Sequence, residues 1–266
     1  MNRRLPFVFG LLYWVLLCQP AKPIAPHPIA FEELTPEQTG ITFENTLEYK
    51  PYLNIIDYLY YYNGGGVAVG DINNDGLEDL FFTANLLPDK LYLNKGNMQF
   101  EDISQLAGIS SLPTWSNGVT MQDINNDGWV DIYVSKVPMK GLFKNERHHN
   151  LLYLNNGDMT FTEVSKDYGL DFSGFSTQAA FLDYDRDGDL DMYLLNHAVH
   201  SVRSYGSVAK RSEKDSISGD RFYKNMLVEG QAGFVDVTEE AKILSSPLGF
   251  GLAITASNKR GTGRKI

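Results

Sequence analysis

The residues of this chain whose spacing holds the most chemistry are Asp71, Asn73, Asp75 and Asp79, set around Gly76 in Asp-Ile-Asn-Asn-Asp-Gly-Leu-Glu-Asp. The pattern returns as Asp123, Asn125, Asp127 and Asp131 around Gly128, and again as Asp183, Asp185, Asp187 and Asp191 around Gly188. Oxygen-bearing side chains at positions 1, 3, 5 and 9, with glycine at 6, describe a loop that wraps a hard cation. Calcium takes roughly 6–8 oxygen ligands, and a glycine at position 6 permits the sharp turn that gathers them. The backbone carbonyls of Leu77, Trp129 and Asp189, at position 7, would each add an oxygen. One copy would pass for an ordinary Asn-Asp-Gly turn. Three copies sharing the same oxygen positions predict about three calcium sites.

The rival is an EF-hand, whose first half reads the same way but which needs a bidentate Glu at position 12. Those positions hold Phe82, Val134 and Leu194, and the acid stands at position 9 instead. An EF-hand also needs flanking helices. Here Gly66-Val-Ala-Val-Gly enters the first loop and Leu80-Phe-Phe-Thr leaves it, and such β-branched and aromatic runs read as strands. The motif therefore belongs at the tip of a β-hairpin.

The elements that must hold these tips form a larger repeat. Asp71 and Asp123 are 52 residues apart and Asp123 and Asp183 are 60, within the period of propeller blades. A strand follows each loop (Leu80–Thr83, Ile132–Ser135, Met192–Leu195). A third is read at Lys90-Leu-Tyr-Leu-Asn, Leu151-Leu-Tyr-Leu-Asn and Arg221-Phe-Tyr-Lys-Asn. A fourth is read at Phe100-Glu-Asp-Ile-Ser, Phe161-Thr-Glu-Val-Ser and Phe234-Val-Asp-Val-Thr, each alternating apolar and polar residues. The predicted fold is all-β: an incomplete β-propeller of about three four-stranded antiparallel blades. Phe31-Glu-Glu-Leu-Thr with Gly40-Ile41 copies a fourth strand and its tail. The tyrosines around Tyr58–Tyr62 read as packing between blades, with a sugar-stacking surface as the alternative. Loops between second and third strands lengthen along the chain and lie opposite the cation hairpins. They carry Lys140, Lys144, Arg147, His148, His149, His197 and His200, and the histidines, lacking a shared spacing, read as solvated rather than as a zinc site.

Composition bounds the rest. In 266 residues the apolar content is 43% and the net charge −10, which argues against a nucleic-acid partner. Met1 to Cys18 reads as a signal peptide, basic and then apolar but short for a membrane span. Cys18 could be lipidated as in an outer-membrane lipoprotein, or the signal could be cleaved ordinarily; no other membrane association is expected. Residues 19–30 form a Pro-rich linker, 31–255 the partial propeller, and 256–266 an aberrant basic tail that reads as a truncated or frame-shifted end. With no cysteine after position 18 and no glycosylation sequon, the chain reads as a bacterial secreted or cell-surface protein stapled by calcium rather than by disulfides.

Together these features resemble the FG-GAP/VCBS repeat family of calcium-binding β-propellers, also found in integrin α subunits. The likeness is greatest to the bacterial cartilage-acidic-protein-like group associated with an ASPIC/UnbV domain. Asn63 through Asp79, Gly118 through Asp131 and Ser176 through His197 carry it. The resemblance implies a ring of about seven blades, export, calcium in the hairpin loops and a role in adhesion or recognition. This chain would be the N-terminal fragment of such a ring, without the ASPIC/UnbV region. No nucleophile–base pair or phosphate-cradling loop stands outside the metal loops, so the reading is non-catalytic, with an extracellular protein or glycan as partner. A fragment of a carbohydrate-active or redox propeller enzyme, or a purely structural scaffold, are the alternatives.

Overall fold

A computed structural model of the chain describes residues 31–139, 149–198 and 212–255. The expected export signal with Cys18, the linker, the basic tail and Lys140, Lys144, Arg147, His148 and His200 lie outside the described residues. Residues 31–34 fall in a separate unit and carry no secondary structure, so the strand expected at Phe31–Thr35 does not form. Its tail does. A single helical turn, α1 (Pro36–Thr39), ends on Gly40 in the left-handed region.

From Thr35 onward the described fold is an incomplete propeller of three four-stranded antiparallel sheets, each a sequential meander. The first holds β1 (Val67–Gly70), β2 (Asp79–Phe82), β3 (Lys90–Asn94) and β4 (Phe100–Asp102). The second holds β5 (Ser116–Gln122), β6 (Asp131–Lys136), β7 (Leu151–Asn155) and β8 (Phe161–Glu163). The third holds β9 (Ser176–Leu182), β10 (Asp191–Asn196), β11 (Arg221–Asn225) and β12 (Phe234–Asp236). The register is common to all: Gly70 pairs with Asp79, Gln122 with Asp131 and Leu182 with Asp191, so each acidic loop closes a β-hairpin. The outermost strands are shorter than the sequence pattern implied. Ser104, Ser165 and Thr238 hydroxyls accept the N–H groups of Leu91, Leu152 and Phe222, which replaces the next ladder bond and ends the strand.

The cores lie between blades. Phe81, Leu91 and Ile103 of the first blade pack against Ile132, Val134 and Tyr153 of the second. Tyr133 and Leu152, on the other face of the second blade, pack against Met192, Leu194 and Tyr223 of the third. This explains why β6 is buried along its whole length rather than alternating: both of its faces are interfaces.

Backbones meet closely where the innermost strands converge. A Cβ on Gly66 would stand 2.7 Å from the Asn117 carbonyl oxygen, and one on Gly118 2.4 Å from that of Thr177. These glycines occupy the same place in consecutive blades. Gly118→Val should therefore cost about 3 kcal/mol or more by forcing the second and third blades apart. Chemical denaturation measures it, and a loss below about 1 kcal/mol would show that the blades tolerate the added bulk.

At the end opposite the acidic loops, Asp89, Asn150 and Asp220 accept the backbone N–H groups of Ala84, Lys136 and Asn196, pinning each β2–β3 type connection. Burial pushes the Asp89 carboxyl up to about 6. The tyrosine segment packs here, with Tyr58, Tyr60 and Tyr61 buried against Trp115 while Tyr49, Tyr52 and Tyr62 stay exposed. His197 is not a solvated loop residue. It is 1% exposed, with Nε2 3.0 Å from the Tyr58 hydroxyl and Nδ1 3.2 Å from Thr177 Oγ1. Burial lowers its pKa to about 4, which keeps it neutral.

Candidate metal centre

The three loops share one backbone. Position 4 (Asn74, Asn126, Arg186) and the glycine at position 6 (Gly76, Gly128, Gly188) all have positive φ. Gly76 has φ +84° with open space around it, so glycine is needed there for conformation, not for room. In the first loop Asp71 accepts the N–H groups of Asp75 and Gly76, and Asp75 accepts that of Leu77. In the second, Asp123 accepts those of Asp127 and Gly128, and Asp127 that of Trp129. The side-chain oxygens at positions 1, 3 and 5 are thus drawn in over the turn by their own backbone. The donor set is all oxygen, which suits a hard cation. In the third loop the carboxylates of Asp183, Asp185 and Asp187 lie within 4.8 Å of one another and could hold a metal ion.

The position-9 aspartates carry a duty that spacing alone did not show. Asp79 accepts the N–H of Ile72 on one oxygen and of Asn94 on the other, at 2.9 and 2.7 Å. Asp131 does the same for Ile124 and Asn155, and Asp191 for Tyr184 and Asn225. Each therefore ties loop, second strand and third strand together with or without an ion. All are buried, and burial pushes Asp131 and Asp191 up to about 6 against the pull of those N–H donors. Among the described residues, Asp191 does not join the carboxylate cluster of its loop.

Neighbouring loops are also bonded to each other. Asn74 donates to the Gly128 carbonyl and Asn126 to that of Gly188. Behind them, Asn155 donates to the Ile72 carbonyl and Asn225 to that of Ile124, each reaching back one blade. Spacing assigned position 4 no role. Its repeated Asn in the first two loops was the available signal.

The third loop differs in its company. Lys224 Nζ stands 2.9 Å from Asp185, 3.7 Å from Asp187 and 3.0 Å from Glu229. Leu93 and Leu154 occupy the matching place in the other blades, and that change of residue type was visible in the sequence.

Away from the loops, a cleft of about 460 Å³ opens beside the innermost strands, lined in part by Tyr60, Asn117, Thr177, Gln178 and His197. Among the described residues no helix is long and apolar enough to cross a membrane.

Comparison with known proteins agrees with this architecture. Residues 71–134 and 142–194 match the FG-GAP-like repeat family. The chain is 32% identical over 158 residues to cartilage acidic protein 1 of Xenopus tropicalis, covering 58% of this chain and 23% of that protein. It is 29% identical over 135 residues to the Homo sapiens protein of the same name, covering 50% of this chain and 20% of that protein. Integrin alpha-8 of Mus musculus is 31% identical over 109 residues, 36% of this chain and 10% of the integrin. The chain thus carries FG-GAP-like repeats and spans less than a quarter of the length of these relatives.

Proposed function

We propose that these FG-GAP-like repeats form an exported recognition or adhesion module, stapled by calcium, that binds an extracellular protein or a glycan and catalyses nothing. Residues 31–255 are its repeat-bearing region. The observation that carries the reading is the recurrence of one oxygen-lined loop at the same end of three consecutive blades, with a cleft at the other end. Integrin alpha-8, among the relatives, adds support through its name alone.

Asp71, Asn73, Asp75 and Asp79 would hold the first ion with the Leu77 carbonyl. Asp123, Asn125, Asp127 and Asp131 would hold the second with that of Trp129, and Asp183, Asp185, Asp187 and Asp191 the third with that of Asp189. When bound, calcium supplies positive charge that offsets carboxylates otherwise repelling one another. The chain's own groups do the rest. Asp79, Asp131 and Asp191 join each loop to its blade, and the Asn74 and Asn126 amides join loop to loop.

The cleft fits recognition: the Asn63 and Gln178 amides in its lining offer hydrogen-bonding groups without charge, over a floor that the buried Tyr60 and His197 rings hold rigid. The test is a screen against arrayed glycans and extracellular-matrix proteins in calcium and in EDTA. Binding should require calcium and weaken at least tenfold in Gln178→Ala, whose side chain lines the cleft. Binding indifferent to both, or turnover of a bound polysaccharide, would overturn the proposal.

A further inference from the structure

The third blade departs from the other two in several residues at once, all at the same spot. Position 3 of its loop is Asp185 where the others have Asn73 and Asn125. Position 7 is Asp189 where the others have Leu77 and Trp129, whose side chains lie over Gly96 and Gly157 of the next hairpin. That hairpin has five residues between Asn94 and Phe100 and between Asn155 and Phe161, but eight between Asn225 and Phe234. The longer hairpin places Glu229 beside the loop and turns the Val228 N–H onto Asp189 Oδ2 at 3.1 Å.

The result is a second cluster. Carboxylate oxygens of Asp187, Asp189 and Glu229 lie within 4.8 Å of one another. Asp189 is wholly buried, and its Oδ1 has no hydrogen-bond partner. An anionic oxygen left bare in the interior is costly unless a cation or donor meets it. The Lys224 ammonium reaches Glu229, Asp185 and Asp187 but leaves that oxygen unmet.

Charge argues the same way. The two clusters, with Asp191, gather six carboxylates around one ammonium, against three carboxylates at each of the first two loops. One dication per loop leaves −1 at the first two and −3 at the third. A second dication brings the third to −1 as well.

We propose that the third blade holds an additional calcium site formed by the side chains of Asp187, Asp189 and Glu229, adjoining the third loop through Asp187, with Lys224 as its built-in competitor. The inference rests on the loops binding calcium and goes beyond them. The ammonium spans both clusters and must withdraw as dications enter, so this blade should fill last.

Calorimetric titration of the whole chain with calcium tests it. The expected stoichiometry is one ion more than the three repeated loops account for. Glu229→Gln, at an exposed residue, should lose that ion and keep the rest. Lys224→Leu, the residue type of the other blades, should keep the full count and tighten the weakest step at least tenfold. A count of three unaltered by Glu229→Gln overturns the additional site and leaves the loops standing. No calcium bound at all overturns both.

Discussion

About 10 mM calcium should raise the melting temperature of this chain by roughly 8–32 °C over its value in EDTA. Loops of extracellular modules hold calcium with dissociation constants of about 10⁻⁴–10⁻³ M. At about 10 mM, mass action then yields roughly 1.4–2.7 kcal/mol per site. The repeated loops together reach about 4–8 kcal/mol, and a domain of this size gains some 2–4 °C per kcal/mol. Magnesium should do much less, because it demands a near-ideal octahedron and keeps its waters. Scanning calorimetry decides the matter: a melting temperature identical in EDTA and calcium removes the metal reading altogether.

Asp131→Ala should be the most damaging single change at a loop, costing about 5 kcal/mol in calcium. It removes a ligand, and it also orphans the buried N–H groups of Ile124 and Asn155, each worth about 1–3 kcal/mol. In EDTA the loss should shrink to about 1–3 kcal/mol, since deleting the buried charge relieves a penalty that, net of those N–H donors, is about 3 kcal/mol. That penalty is why the Asp131 carboxyl rises to about 6. Asp123→Asn should behave differently. Its side chain receives only N–H groups of its own exposed turn, so it should cost about 2 kcal/mol in calcium and under about 1 kcal/mol in EDTA. Urea unfolding of both variants, with and without calcium, separates the roles. Equal losses for the two in EDTA would show that Asp131 is an ion ligand and nothing more.

The blades were legible because a period-2 strand pattern and an acidic turn recur together, and each β2 and β3 type strand forms where that pattern put it. Three features were not. The alternation rule assumes one wet face, so it could not foresee β6, whose Ile132 and Tyr133 are buried on opposite faces between neighbours. His197 was taken for a loop residue because a lone histidine has no spacing to read, yet Tyr58, distant in sequence, closes over it. Phe31–Thr35 has the composition of a fourth strand but takes no secondary structure. Local pattern specifies which residues want to pair. It does not say whether a partner is at hand.

Spacing was equally good at assembling the loops and poor at dividing labour within them. It set position 9 beside positions 1, 3 and 5 as one more ligand and gave no sign that Asp79, Asp131 and Asp191 also each serve two strands through backbone N–H groups. It also missed Glu229, which reaches the third loop only because its hairpin is longer.

The backward-reaching amides of Asn155 and Asn225 have a kinetic side. Every strand in a blade pairs with the next one along the chain, so a blade can form from contacts within its own segment at modest loop-closure cost. Those amides, and the bonds between adjacent loops, connect a blade only to the one before or after it. Apart from the closure of Tyr58 over His197 in the third blade, a chain wired in this way should assemble like a row of dominoes rather than a single collapsing globule, each unit becoming the template on which the next one docks.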